Sequence, residues 1–216
     1  MRKPPQQKRS RELVEKLLDA TAATLAERGL DNTTTNHIAE KAGVSIGSVY
    51  QYFPDKQALV EALLERMGRS VGEHFKRRAD VVQINQLSLH AVASTAIAYG
   101  LHLMRSDPVL SELMRNWNRL PIDRLLDPIE RLFLAMAQPY FLRNYRDFPV
   151  QDLEAKLYVL INSTLFTCIR FLFQENTLIR EEVLIRTLAD MIVAVLESAE
   201  LAPASTPELT SGPAPV

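Results

Sequence analysis

The chain has 216 residues, of which 47% are hydrophobic and 24% are charged. This composition is typical of a globular protein long enough to bury a core, and it excludes a wholly disordered chain, a fibrous repeat and a disulfide-held mini-protein. The single cysteine, Cys168, cannot form an intramolecular disulfide, and the first residues are charged where a signal peptide would be apolar, so a cytoplasmic protein is predicted. The longest charge-free stretch in the most apolar region, 157–169, has 13 residues, whereas a spanning helix needs about 20, so no membrane span is predicted.

The near-zero net charge hides a basic N-terminal end. Residues 1–78 contain 14 Lys and Arg against 10 Asp and Glu, whereas the remaining residues contain 11 against 16. Five basic side chains precede the first acid: Arg2, Lys3, Lys8, Arg9 and Arg11. Such a cluster is typical of an arm that seeks phosphates, and a solvated disordered head is the alternative. We therefore predict a basic, disordered arm over residues 1–9.

The first two predicted helices both end at glycines. Apolar residues recur at spacings of three and four over residues 10–28, which is typical of an amphipathic helix, and Gly29 follows where a left-handed cap belongs. Thr34 is suited to cap a second, short helix that ends at Gly43.

A third and a fourth helix follow directly. Ser45 caps the third, Pro54 prevents its continuation, and Asp55 caps the fourth. The second and third helices are too short to be stable alone and are joined by a tight turn. Residues 10–68 are therefore predicted to form a three-helix helix-turn-helix domain.

From residue 81 onward the predicted helices are longer and more apolar, at about 85–105, 108–118, 122–145, 151–175 and 178–200. Pro108 suits the first turn of a helix, whereas Pro128 and Pro139 should kink or shift the helix that contains them. The fold class is therefore all-α, with a larger helical domain over 69–201 and a Pro-rich, disordered tail over 202–216.

Small or slim residues form the start of the third helix: Ser45, Ile46, Gly47 and Ser48. A glycine inside a helix costs about 1 kcal/mol relative to alanine, so Gly47 needs a reason, and close approach to a DNA groove wall or phosphate is one. Tyr50 and Tyr52 flank Gln51 on the predicted outward arc, where their hydroxyls can donate to phosphates. Partly exposed core tyrosines are the alternative.

The run from Thr33 to Ser45, followed by Gly47, Val49-Tyr50, Tyr52-Phe53, Asp55-Lys56 and Leu59, resembles the DNA-binding domain of TetR-family transcriptional regulators. The resemblance covers about residues 10–67. It implies that Ser45, Ile46, Gly47, Ser48 and Gln51 face the bases of a double-stranded operator, and that Thr34, Tyr50, Tyr52 and Lys56 bind phosphates, beside Arg9 of the arm. Two positions depart from the pattern: His37 stands where an acid often completes the capping box, and Ile46, where a polar or basic residue is common, can only read a thymine methyl or pack.

The rest of the chain resembles that family only in architecture, as an all-helical ligand-binding and dimerisation domain. Aromatic, Met and His side chains there are candidates to line a ligand cavity, although most such stripes are ordinary core: Tyr99, His102, Met104, Trp117, Phe133, Met136, Tyr140 and Phe166. Trp117, between two asparagines, is the candidate for orienting a ligand.

The resemblance implies a transcriptional repressor that binds a near-palindromic operator and is released by a small apolar or amphipathic ligand; activation, or a regulator without a ligand, stays open. The two C-terminal helices are predicted to be apolar on every face and to pair with those of a second copy, with Leu188 and Ile192 in the seam. A monomer in which both helices are central is the alternative.

An enzyme is not expected. His90 and His102 lie 12 residues apart and out of phase on a helix, so no metal site is indicated, and no cofactor motif is present. The sequence has no phosphate-binding glycine loop and no nucleophile elbow, and Cys168 lies in an apolar run. A helical interaction protein without DNA binding would leave the basic arm and the glycine at the start of the third helix unexplained.

Overall fold

The computed structural model describes residues 8–144, 152–173 and 178–197, and every regular element in those ranges is helical, which confirms the all-α prediction. Short 3-10 turns lie at Ile84–Gln86 and Trp117–Arg119. The helices are α1 (Lys8–Asn32), α2 (Thr35–Ala42), α3 (Ile46–Tyr52), α4 (Lys56–Val82), α5 (Leu89–Ser106), α6 (Pro108–Arg115), α7 (Asp123–Asn144), α8 (Leu153–Phe173) and α9 (Glu181–Glu197).

The short helices of the first domain begin at the predicted caps. The side chains of Thr34, Ser45 and Asp55 accept hydrogen bonds from backbone N–H groups three residues on, at the starts of α2, α3 and α4. Gly43 ends α2 at a φ of +60°, a conformation that costs glycine little. These four predictions are confirmed, and Gly43 and Ser45 bound the turn between α2 and α3.

α1 starts earlier than predicted. It begins at Lys8, so Arg9 is helical and the prediction that it belongs to a disordered arm is wrong. The helix breaks at Gly29, where φ is +74° and where the sequence predicts its end, and one further turn follows. Residues 1–7 of the predicted arm and the predicted tail, 202–216, lie outside the described residues.

A common core holds α1 to α4 together. Thr21 and Thr24 are buried in α1, and each hydroxyl donates to the carbonyl four residues earlier, so burial leaves neither unpaired. The fully buried apolar side chains of this core include Leu17, Leu25, Ile38, Val49, Phe53, Leu59 and Leu63.

α4 connects this domain with the rest of the chain. The predicted boundary after residue 68 falls inside α4, so one continuous helix belongs to both domains. α4 and α7 pack closely here, because a Cβ at Gly68 would lie 2.4 Å from the carbonyl oxygen of Leu125. The backbones of the two helices therefore touch at Gly68.

The five longer predicted helices correspond to α5 to α9. Pro108 occupies the first turn of α6 as predicted, while Pro128 and Pro139 lie inside α7. α5 starts later than predicted because residues 84–86 form a 3-10 turn and Ser88 then caps the helix.

α8 carries an exposed apolar face. Tyr158, Val159 and Phe166 are 60%, 56% and 41% exposed. By length and composition alone α8 passes as a membrane span, a test that core helices of soluble proteins also pass, and little of it is buried within one copy of the chain.

α9 differs from its prediction. Its exposed positions include Glu182, Arg186 and Asp190, so the prediction that it is apolar on every face is wrong. Leu188 is buried in the core of its own chain and Ile192 lines an internal cavity, so neither belongs to an outward seam. The sequence could not show this, because which apolar stripe faces inward depends on how α9 packs against α5.

Candidate functional site

The start of α3 presents a small, accessible surface. Ile46 and Gly47 are exposed, and Ser48 is partly exposed. A Cβ added at Gly47 would meet only the Oγ of Ser45, at 3.8 Å, so no internal contact requires glycine at this position. The hydroxyls of Ser45 and Ser48 lie 2.9 Å apart, and Gln51 is exposed one turn further on. These residues give one end of α3 a slim profile with hydrogen-bonding groups.

The two tyrosines of α3 point in different directions. Tyr50 is 43% exposed, whereas Tyr52 is 6% exposed, so the prediction that both lie on the outward arc is wrong for Tyr52. Tyr52 follows Val49 by three residues and therefore shares its buried face of the helix.

A hydroxyl pair that the sequence analysis missed joins α2 and α3. The Tyr50 hydroxyl lies 3.2 Å from Thr35 Oγ1, next to the exposed cap residue Thr34. Thr35 stands in the quoted run of three threonines, but its partner lies 15 residues away and only the packing of the two helices reveals it. Thr34, Thr35 and Tyr50 thus place three hydroxyls beside the start of α2.

His37 replaces the acid of a capping box and finds another partner. Its backbone N–H donates to Thr34 Oγ1, while its ring Nδ1 donates to the carbonyl of Asn32, 3.1 Å away. The ring therefore ties the start of α2 to the end of α1 instead of returning to the cap residue.

The predicted phosphate ligands Lys56 and Arg9 have different surroundings. Lys56 Nζ donates to the carbonyl of Leu30 at 2.9 Å, so one of its three hydrogens closes the end of α1. Arg9 is exposed in the first turn of α1, which contains no acidic residue. Cations do not stabilise the N-terminus of a helix, so the basic charge there does not serve the helix itself.

α6 and the 3-10 turn that follows it each make a contact with the end of α1. The N–H of Leu30 donates to Glu112 Oε1 at 2.7 Å, and Arg119 donates to both carboxylate oxygens of Asp31, at 2.6 and 3.2 Å. The hydrogen bond from Arg119 and its charge lower the pKa of Asp31 below its usual value. Leu30 therefore donates its N–H to Glu112 and accepts a hydrogen bond from Lys56 on its carbonyl oxygen.

A cavity of about 270 Å³ lies among the helices α4 to α9. Five of the predicted ligand residues line it: Tyr99, Met104, Phe133, Met136 and Tyr140. The wall that α4 forms with Phe75 and Arg78 was not predicted from the sequence. The four-residue spacing from Val71 to Phe75 is the signal that could have found Phe75.

Three predicted ligand residues lie elsewhere. His102 is exposed on α5, and Trp117 packs edge-on against Phe166 with ring centroids 5.0 Å apart, outside the cavity lining. The prediction that these three line the cavity is wrong, because helical spacing does not show which apolar stripe faces a cavity and which faces outward.

The cavity wall is close to neutral. Burial raises the pKa of the Cys168 thiol to about 11, so it stays protonated at neutral pH. The Tyr140 hydroxyl donates to the carbonyl of Leu87 at 2.9 Å. Arg78 is the charged side chain among the described lining residues, and it is exposed, with its guanidinium 6.0 Å from the centroid of the Tyr99 ring.

Among residues 8–144, 152–173 and 178–197, no group of three or more His, Cys, Asp or Glu side chains is placed to hold a metal ion. His90 instead lies 3.2 Å from the carboxylate of Asp190, which links α5 to α9.

Known proteins resemble this chain in both sequence and fold. The family model "Bacterial regulatory proteins, tetR family" matches residues 17–63. The HTH-type transcriptional regulator BetI of Serratia proteamaculans is 34% identical over 103 residues, 48% of this chain and 50% of that protein. The nucleoid occlusion factor SlmA of Haemophilus ducreyi is 25% identical over 131 residues, 57% of this chain and 63% of that protein. The chain thus spans between half and two thirds of the length of these two curated relatives.

The fold likeness covers more of the chain than the sequence matches do. A TetR-family transcriptional regulator from Streptomyces coelicolor superposes with a TM-score of 0.62 at 22% identity, over 86% of this chain and 98% of that one. The relatives carry the names of a regulator and a nucleoid occlusion factor, which agrees with the prediction of a protein that is not an enzyme. The N-terminal domain thus matches the tetR family of bacterial regulatory proteins, and the chain shares the fold of TetR-family regulators.

Proposed function

We propose that this protein is a homodimeric, cytoplasmic transcriptional regulator that binds a near-palindromic DNA operator and acts as a repressor released by a small apolar or amphipathic molecule. The observation that supports DNA binding most strongly is the exposed start of α3, where Gly47 has no internal packing role. A helix of this kind enters the major groove with its N-terminal residues at the base edges. Bases are then read by Ser45, Ser48 and Gln51, while Ile46 contacts a thymine methyl.

Hydroxyl groups beside α3, together with basic groups at the starts of α1 and α4, are suited to the phosphates on either side of the groove. Thr34, Thr35 and Tyr50 offer hydroxyl donors, and Arg9 offers an exposed charge. Lys56 takes part through the hydrogens that Leu30 does not use. Tyr52 is buried, so only its hydroxyl group is a candidate for binding a phosphate.

The exposed face of α8 supports the homodimer. Ala155, Val159 and Phe166 are exposed and follow one another at spacings of four and seven, which fit the heptad pattern of a seam between two helices. We call this stripe the α8 seam. A second copy covers it by presenting the same stripe, since a twofold interface pairs a surface with itself. Asn162 and the nearby charges of Lys156 and Arg170 suit such a protein interface better than lipid.

Two contacts connect the cavity with the DNA-binding domain. α7, which lines the cavity with Ile129, touches α4 at Gly68. α6, which lines it with Leu110 and Met114, holds Leu30 through Glu112. A ligand that favours a different packing of α6 and α7 would therefore move both elements that hold the helix-turn-helix domain in place. In a dimer this movement would change the distance between the two α3 helices, so that they no longer match two half-sites of the operator. Coupling of this kind is typically worth about 1–3 kcal/mol.

Binding of the purified protein to the DNA upstream of its own coding sequence tests the proposal. Fluorescence anisotropy should give a steep fall of affinity with salt, because several phosphates are neutralised per subunit. Gly47→Leu should abolish the sequence-specific part of this binding, whereas Arg69→Ala, which removes a charge on α4 that pairs with Glu65, should leave it intact. The proposal would be contradicted if wild type bound the upstream fragment no more tightly than unrelated DNA, or if Gly47→Leu bound the upstream fragment as tightly as wild type does.

A further inference from the structure

One polar side chain at the cavity has no partner. Thr164 of α8 lines the cavity, and its Oγ1 is buried without a hydrogen-bond partner among the described residues. Other helical threonines of this chain behave differently, since Thr21, Thr167 and Thr187 each donate to the carbonyl four residues earlier. A buried hydroxyl left unpaired is costly, so something has to satisfy it.

The remaining surface of the cavity offers little to a charged molecule. The Cys168 thiol is neutral, and Tyr140 already donates its hydroxyl hydrogen to Leu87. Arg78 keeps its charge at the exposed edge, over the ring of Tyr99. Transfer of an ion from water to such an interior without a buried counter-charge is unfavourable.

Aromatic rings shape one side of the same cavity. Phe75 lies edge-on to both Tyr99 and Phe133, with ring centroids 5.3 Å apart in each pair. Further aromatic contacts with a ligand add to the energy of apolar burial. The volume of about 270 Å³ lies near the lower end of the usual range for small-molecule sites.

We propose that the cavity binds an uncharged aromatic molecule with a short apolar substituent and one hydroxyl group, and that this hydroxyl pairs with Thr164. This inference rests on the proposed function, because it names the chemical class of the molecule that releases the regulator. Thr164 has a single side-chain torsion, so rotation about it directs the hydroxyl toward the ligand.

Three probes of similar shape separate this proposal from its alternatives: 4-butylphenol, butylbenzene and 4-butylbenzoate. Calorimetric titration of the full chain should give the tightest binding for the phenol, roughly three- to tenfold tighter than for butylbenzene, which is the usual gain from one hydrogen bond. The benzoate should bind most weakly. Thr164→Val, which keeps the shape and removes the hydroxyl, should abolish the preference for the phenol while leaving butylbenzene binding unchanged.

A matched control uses the threonine one turn further along α8. Thr167→Val removes a hydroxyl that pairs with the carbonyl of Ser163 and does not line the cavity, so the preference for the phenol should persist. Without any probe, Thr164→Val should melt at the same or a higher temperature than wild type, because it removes an unpaired buried hydroxyl. That melting curve also shows whether the variant is folded.

Three results would overturn the inference: a preference for the phenol that survives Thr164→Val, tightest binding of the benzoate, or no binding of any probe by folded protein. Operator binding measured in parallel keeps this failure distinct from failure of the proposed function. If only the inference is wrong, wild type still binds its operator specifically. If the proposed function is wrong, wild type shows no specific DNA binding, whether or not it binds the probes.

Discussion

The two ends of α4 belong to regions that differ in how completely their interiors are filled. In the first region, α2 and α3 are short and capped, and the core that they share with α1 is filled by fully buried side chains. In the second, α5 to α9 are joined around a cavity of about 270 Å³ and leave an apolar face of α8 exposed. A filled core keeps one geometry, whereas a cavity among long helices permits more than one packing. The first region is therefore suited to recognition and the second to response.

Two glycines show the same contrast. Gly47 in the first region is exposed and has only Ser45 Oγ near it, while Gly68 at the border with the second region lies against the backbone of Leu125. Glycine at 47 leaves room for something outside the chain, whereas glycine at 68 leaves room for another helix of the chain. Substitutions at the two positions should therefore have opposite effects on stability and on DNA binding.

The largest expected effect is that of Gly47→Leu on DNA binding. Operator affinity should fall by roughly a thousandfold, toward the non-specific level, because the larger side chain keeps α3 out of the groove. Thermal stability should stay equal or rise, since leucine favours the helix more than glycine does. Anisotropy titrations and thermal melts check both expectations, and a variant that unfolds while its folded fraction still binds normally would assign Gly47 to internal packing.

The next effect concerns the α8 seam. The double substitution Val159→Glu with Phe166→Glu should give monomers by light scattering, because it places charge in the stripe that pairs with itself. Operator affinity should fall by roughly a hundredfold through the loss of two-site binding. Leu142→Glu is the control, since Leu142 is an exposed apolar residue of α7 outside the seam. Dimers that persist in the double variant would exclude the α8 seam as the interface.

A moderate loss of stability is expected for Gly68→Ala. The added Cβ would lie 2.4 Å from the Leu125 carbonyl oxygen, and forcing α4 and α7 apart should cost about 1–3 kcal/mol of unfolding free energy. Gly100→Ala is the matched control on α5, where the nearest atom, of Phe75, would lie 3.7 Å away and where alanine should stabilise the helix. Urea denaturation measures both changes, and equal stability of the two variants would mean that α4 and α7 are not closely packed.

A smaller effect is expected for Lys56→Ala. Loss of the hydrogen bond to the Leu30 carbonyl should lower stability by about 1 kcal/mol. If Lys56 also binds a phosphate, the slope of log affinity against log salt should flatten by about 1 for each phosphate that the variant no longer neutralises. Arg69→Ala should change neither quantity much. If the salt dependence of Lys56→Ala equals that of wild type, Lys56 does not bind a phosphate and only stabilises the end of α1.

How far the sequence predicts the structure follows the same division into two regions. Thr34, Ser45 and Asp55 could be predicted as caps because a cap depends on residues only three positions away. The outward position predicted for Tyr52 is wrong because the outward arc of a two-turn helix depends on the neighbours of that helix.

In the second region the apolar pattern predicts helices but not their rotation. Trp117 and Phe166 therefore pair with each other outside the cavity, and Leu188 faces its own core. The cavity wall formed by Phe75 and the unpartnered Thr164 depends on contacts between helices far apart in the chain, which helical spacing does not encode.

The smallest effect at neutral pH concerns Cys168. Its pKa is raised from 9.0 to about 11 by burial and then by the charge of Glu181, so the folded state favours the neutral thiol. This contribution to stability is complete below pH 9 and is lost as the pH rises to about 11. Denaturation of Cys168→Ala should therefore show a weaker fall of stability over that range than wild type does. Identical pH profiles would mean that the thiol is exposed to water.

The most direct test of the division between a recognising and a responding region is selection of bound duplexes from a random DNA pool. Wild-type protein should enrich a near-palindromic sequence with two half-sites, and Gly47→Leu should enrich none although it remains a folded dimer. Enrichment of the same sequence by both proteins, or of no sequence by wild type, would contradict the assignment of DNA recognition to α3.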